Sequence, residues 1–177
     1  MTTTIIGSKD FVAVATGGVL RTRYSGTGSN QLLISPSSIL AEYIIETLAT
    51  MTLPTDGDDW PLYVNHLPDG RGVKDNCGAI FDTTGLKDGR LMEGGVPMHF
   101  GISLQIRALT DQVGFAKIED IAADMDMVIS EEITIDGNDY LLQNISRTSP
   151  VIPLGLEEGT RRRFLHTINF LATIKKV

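Results

Sequence analysis

Apolar positions along this chain recur with a period of two in several short runs and with a period near 3.6 in two longer ones, which separates candidate strands from candidate helices. Phe11 to Thr16 and Val19 to Tyr24 are apolar or β-branched runs joined by Gly17-Gly18, a pair suited to a type I′ turn, and they predict a β-hairpin. Val19, Arg21 and Arg23 fall on one face of its second strand. Ser25 to Gln31 reads as a flexible connector. Ser35 then offers a helix cap and Pro36 fits the first helical position. From there to Met51, Leu40, Ile44, Leu48 and Met51 share one arc, and Glu42, Glu46 and Thr50 lie across from it. Tyr43 and Ile45 flank the arc and widen the apolar face to about 200°, so something covers a second side: another part of the domain, or a neighbouring subunit.

Further on, "WPLYVNHL" and "CGAIFDT" predict strands, with "PDGRG" as a turn and "GLKDGRLMEGG" as a glycine-rich loop. "MHFGISLQIRAL" alternates: Phe100, Ile102, Leu104 and Ile106 face one way, His99, Ser103, Gln105 and Arg107 the other, a half-buried strand with a polar face. "FAKIEDIAADMDMVI" predicts a helix whose Ile118, Ile121, Ala122, Met125, Val128 and Ile129 fill an arc of about 120°. Its Glu119, Asp120, Asp124 and Asp126 lie outside the arc, and Met127 points into that acidic half. "EITIDGNDYLLQNI" predicts a second hairpin turning at Asp136 to Asp139, "SPVIPLG" an extended run, and "RRRFLHTINFLATIKK" a long strand. This order predicts an α+β fold: a mostly antiparallel sheet flanked by two main helices, with an extra N-terminal hairpin. Residues 1–30 form the hairpin extension and linker, and 31–177 a single domain.

Composition narrows the function classes. The chain has 177 residues, 42% hydrophobic and 21% charged, which fits one packed domain rather than disorder or a fibrous repeat. Acidic residues outnumber basic ones 22 to 15, a net charge of −7 that disfavours tight binding to nucleic acid phosphate. No apolar run is long enough for a membrane span, and Met1 to Asp10 lacks a secretory pattern, so the expected compartment is the cytoplasm. Cys77 is the one cysteine, and no spacing suits a zinc site.

The sharpest candidate for chemistry is "AIFDTTG", where Asp82 ends an apolar run and Thr83, Thr84 and Gly85 follow, the outline of an aspartyl-phosphate nucleophile. That chemistry also needs a cation, magnesium ligands and a doubly wound parallel sheet, and the pattern after Asp82 predicts antiparallel strands around one helix. Asp82 to Gly85 is better read as a strand end followed by a turn. His66, His99 and His166 are scattered over candidate strands without a nucleophile elbow. Arg161, Arg162 and Arg163 form a basic run in an acidic chain. They are expected to pair with Glu119, Asp120 and Asp124 of an adjacent copy, with Tyr43 and Ile45 as further interface residues.

From Ser35 onward the succession "ILAEYIIETL", "DWPLYVNHLPDG", "AIFDTTG", "SLQIRAL", "FAKIEDIAADM" and "SPVIPLGLEEGTRRRFLHTINFLATI" resembles the tail terminator (minor capsid, tail completion) proteins of long-tailed bacteriophages. The resemblance implies a virion protein, not an enzyme, without cofactor or metal. It would assemble in the host cytoplasm into a ring, usually a hexamer, that caps the tail tube protein at the tail–neck junction, stops its polymerisation and joins it to the head–neck connector. Genomic DNA would pass through the lumen, and net negative charge fits a lumen that repels phosphate. The hairpin of residues 1–30 departs from the family pattern. The alternatives are a neck adaptor or tail tube component of the same particle or, in a different class, a small phosphate-handling enzyme using Asp82.

Overall fold

The computed structural model describes residues 12–16, 19–23, 32–54, 60–70, 72–87, 98–157 and 162–177. The chain divides into two compact units, Met1–Gln31 and Leu32–Val177. In the first, β1 (Val12–Thr16) pairs antiparallel with β2 (Val19–Arg23), Val14 opposite Arg21 and Thr16 opposite Val19. The Gly17-Gly18 turn and the connector Ser25 to Gln31 lie outside the described residues, as does most of the glycine-rich loop expected after Gly85.

The second unit is a mixed α+β fold. In chain order it holds α1 (Pro36–Glu42), a π-helical turn (Tyr43–Thr47), β3 (Leu62–Val64), β4 (Cys77–Lys87), β5 (Met98–Ala108) and α2 (Asp111–Asp126). The strands β6 (Ile129–Ile135), β7 (Asn138–Arg147), β8 (Ile152–Leu156) and β9 (Phe164–Lys176) follow. The strands build one seven-stranded sheet in the order β3-β4-β5-β9-β7-β6, with β8 also on β9. Every pairing is antiparallel except that of β3 with β4. Of the strand expected over "WPLYVNHL", the three residues of β3 form it. The central strand β9 has β5 along one side, Leu104 opposite Ile168. Its other side takes β8 along its first residues, Leu156 opposite Phe164, and β7 along the rest, Ile145 opposite Ala172.

Both helices lie on one face of this sheet. There Ile80, Ile102, Leu104, Ile106, Ile168 and Phe170 pack with Ile39, Leu40 and Ile44 from the first helix and Ile118, Ile121 and Met125 from the second. Each such side chain contributes about 1.5–3 kcal/mol by leaving water. The first helix starts where the pattern predicts: Ser38 N–H donates to Ser35 Oγ (3.3 Å), and Pro36 occupies the first turn. It leaves α geometry early, through a wide turn closed by Leu48 N–H donating to Tyr43 O at 3.1 Å. The α2 helix is capped by Thr110 and ends at Asp126 rather than Ile129. Ile129, expected in the buried arc, is instead exposed at the start of β6, while Val128 is buried.

The strand predicted to end at Asp82 continues to Lys87, with a register shift between Thr83 and Leu86. A Cβ on Gly85 would fall 2.2 Å from His99 O, and one on Gly101 2.4 Å from Thr84 O. These glycines let β4 and β5 approach closely at the bulge, so Gly85 extends the pairing it was expected to break. The second hairpin turns as expected, with Asp136 (φ 51) and Gly137 (φ 73) both left-handed.

Candidate functional site

Asp82 stands on the helix face of β4 beside the start of α1. Ser37 N–H donates to Asp82 Oδ1 (2.9 Å) and Ser37 Oγ–H to Asp82 Oδ2 (2.7 Å). A carboxylate accepting a free N–H of the first helical turn acts as a cap supplied by the strand beneath the helix. Beside it lies a groove of about 330 Å³ lined by Pro36, Asp82, Thr83, Leu86, His99 and Phe100, among others. His99 Nδ1 lies 2.7 Å from Thr173 Oγ1. The other two histidines are elsewhere: His66 Nδ1 is 3.1 Å from Val64 O, and the buried His166 has Nε2 3.0 Å from Asp111 Oδ1. Among the described residues no group of three or more His, Cys, Asp or Glu is placed to hold a metal ion.

The densest charged cluster lies on the opposite face, at the corner where β5 ends and β9 begins, and the alternation pattern did not indicate it. Arg107, expected on a polar face, is 0% exposed. Its Nη1 donates to Pro68 O (2.8 Å), its Nη2 to Lys74 O (3.2 Å), and Glu157 Oε1 lies 3.6 Å away. Arg163, 3% exposed, donates through Nη2 to Asp69 Oδ1 (2.8 Å) and sets Nε 2.6 Å from Glu157 Oε2 and Nη1 3.6 Å from Asp75 Oδ1. The hydrogen bond from Arg163 holds the Asp69 carboxyl below its ordinary range. Burial pushes the Cys77 thiol up, against the pull of Arg107 and Arg163. With two cations facing three carboxylates, both guanidiniums are fully matched, and the cluster ties the segment between β3 and β4 to the sheet.

The residues expected at an oligomer interface separate into three groups. Arg161 lies outside the described residues. Arg163 is buried in the corner just described, engaged with Asp69, Asp75 and Glu157 of its own chain rather than offered at the surface, because three carboxylates and the strand start surround it. Tyr43 is buried within the chain, so the domain itself covers this part of the wide apolar face of α1, and burial, with Glu131 and Asp124, raises its hydroxyl pKa. Ile45 is half-buried. Glu119 is paired within the chain, Arg147 Nη1 lying 2.9 Å from its Oε2. Asp120, Asp124 and Arg162 are exposed. The signal missed for Arg147 is its place on β7, where it stands opposite Phe170 on the helix face and reaches both Glu119 and Asp126 of α2.

Among the described residues no helix is long and apolar enough to cross a membrane. Comparison with protein-family models and with curated protein sequences returns no match.

Proposed function

We propose that this chain is a structural ring protein of a long-tailed phage particle, capping the tail tube and joining it to the neck connector. The observation that carries the reading is exposed apolar surface, spread over several places of which two matter most here. Met127 and Ile129 stand out at the junction of α2 and β6, and Ile152, Leu154 and Leu156 along β8. Single exposed apolar residues are ordinary, but clusters of them mark association surfaces. The succession of sequence features from Ser35 onward supplies the particular assembly, and a net charge of −7 suits a lumen along which DNA slides. No cofactor and no catalytic residue enter this reading. Purified protein, alone and mixed with tail tube protein, is expected to show rings or capped tube ends in negative-stain images. A monomer that enters no particle would overturn the reading, and antibody labelling at the neck or along the tube would move it to adaptor or tube subunit.

The groove beside Asp82 favours a second reading, a small phosphate-handling enzyme with Asp82 as nucleophile. It predicts phosphatase turnover that Asp82→Asn abolishes with the fold intact. The ring reading predicts no such turnover, in keeping with a carboxylate engaged at a helix start.

A further inference from the structure

We infer that copies of this chain join head to tail through two unlike surfaces of the second unit: the corner formed by Met127, Ile129 and Glu131, and strand β8 with Leu154, Leu156 and Arg162. The inference rests on the ring reading and names its contact.

Met127 (79% exposed) and Ile129 (71%) are the two most exposed large apolar side chains among the described residues. Acids flank them in sequence: Asp124 and Asp126 before, Glu131 and Glu132 after. Arg147 takes up Glu119 and Asp126. Asp124, Glu131 and Glu132 are exposed, and of the three Asp124 feels the charge of Lys117 on its own helix. Two greasy side chains amid an excess of negative charge repel phosphate and suit an apolar surface carrying positive charge.

Strand β8 offers such a surface. All five of its residues are exposed, Leu154 and Leu156 at 51% each. Pro153, the positive φ of Gly155 and the register shift between them blunt this strand against pairing with an added strand, so a partner meets its side chains rather than its backbone. Glu157 N–H donates to Arg163 O (2.8 Å), which sets Arg162 beside the end of β8. Arg162 is exposed and makes no ion pair among the described residues, and the Glu157 carboxylate that could cancel it is held by Arg107 and Arg163.

The two surfaces are far apart. Ile129 stands opposite Asn144 and Asn144 opposite Thr173, whereas Leu156 stands opposite Phe164. From Phe164 to Thr173 along β9 is about 30 Å at roughly 3.3 Å per residue. One molecule therefore does not satisfy its own surfaces. Exposed apolar side chains on both surfaces and opposite charge on the same chain make a second copy the occupant, and unlike surfaces generate a ring when the rotation closes.

Two variants test this, both altered only at exposed positions: Met127→Glu with Ile129→Glu, and Leu154→Glu with Leu156→Glu. Sedimentation velocity is expected to show assembly of the wild type and monomers of each variant alone, with unchanged circular dichroism. Mixed in equal amounts, the variants should form dimers, because each keeps one intact surface. Arg162→Glu should weaken wild-type assembly about fivefold at low salt, the effect of roughly one exposed ion pair, and adding Glu131→Arg to the same chain should restore it. Variants that assemble like the wild type would overturn this contact and leave the ring reading standing. A wild type that stays monomeric at every soluble concentration, with or without tail tube protein, would overturn both.

Discussion

The two faces of the sheet are closed by different physics. On the helix face, Leu104, Ile168 and Phe170 exclude water by packing against α1 and α2. On the other, at the corner where β5 ends, Arg107 and Arg163 do the same work with charge, gathering Glu157, Asp69, Asp75 and two backbone carbonyls. Apolar packing tolerates exchange among side chains of similar volume, whereas the ionic corner depends on its buried members, since removing one of them strands the others in a dry site.

The largest effect that separates the faces is expected from Phe170→Ala, which empties the helix side and should cost about 3–5 kcal/mol in urea unfolding. Phe170→Leu should recover most of it. Next comes Arg107→Met, which keeps the stem but loses the two bonds to Pro68 and Lys74; it should cost about 2–3 kcal/mol, and Arg107→Lys should not rescue it, because one ammonium does not reproduce the fork. If Arg107→Met proves neutral, the corner is held by shape rather than charge. Asp82→Ala removes the cap on α1 and should cost about 1 kcal/mol while leaving the arginine corner unchanged. The smallest effect follows from Asp69. Its folded-state pKa is lowered, so its contribution is fully present above the unfolded carboxylate value and is lost as pH falls through the folded one. Asp69→Asn should therefore be slightly less stable than the wild type at neutral pH, and the difference should shrink as pH falls below about 4, so that acid titration of stability is shallower in the variant.

The same contrast explains what could be read from the chain. Phe100, Ile102, Leu104 and Ile106 announce their strand because one face alternates into an apolar layer. Ser35-Pro36 announces a helix start through local chemistry, and Asp136-Gly137 a turn through backbone freedom. The arginine corner is written in no local pattern: Arg107 looks like a solvent-facing residue until loop carbonyls from 68 and 74 and a carboxylate from 157 arrive around it. Asp82-Thr83-Thr84-Gly85 misleads for a related reason. Its composition is that of a turn, but Gly101 on the neighbouring strand makes room for Gly85, and tertiary pairing overrides local preference. Ile129 misleads because helical periodicity carries no stop signal after Asp126, and Ser130 adopts φ 55, which re-aims the chain into β6. Of the interface candidates, the exposed acids were legible from their place on the helix. The division of the basic run into a buried Arg163 and an exposed Arg162 depended on where β9 begins.

Strand β9 lies at the middle of the sheet yet follows all of its partners along the chain. A nascent polypeptide thus presents β4 with β5, and β6 with β7, as two separate ladders with bare edges before the strand that unites them exists. The pairing of Phe100 with Ala172 closes a loop spanning about half of the second unit, so this protein's maturation is governed by a late, long-range zippering step. Until that step is complete the half-built ladders are the species a chaperone would recognise.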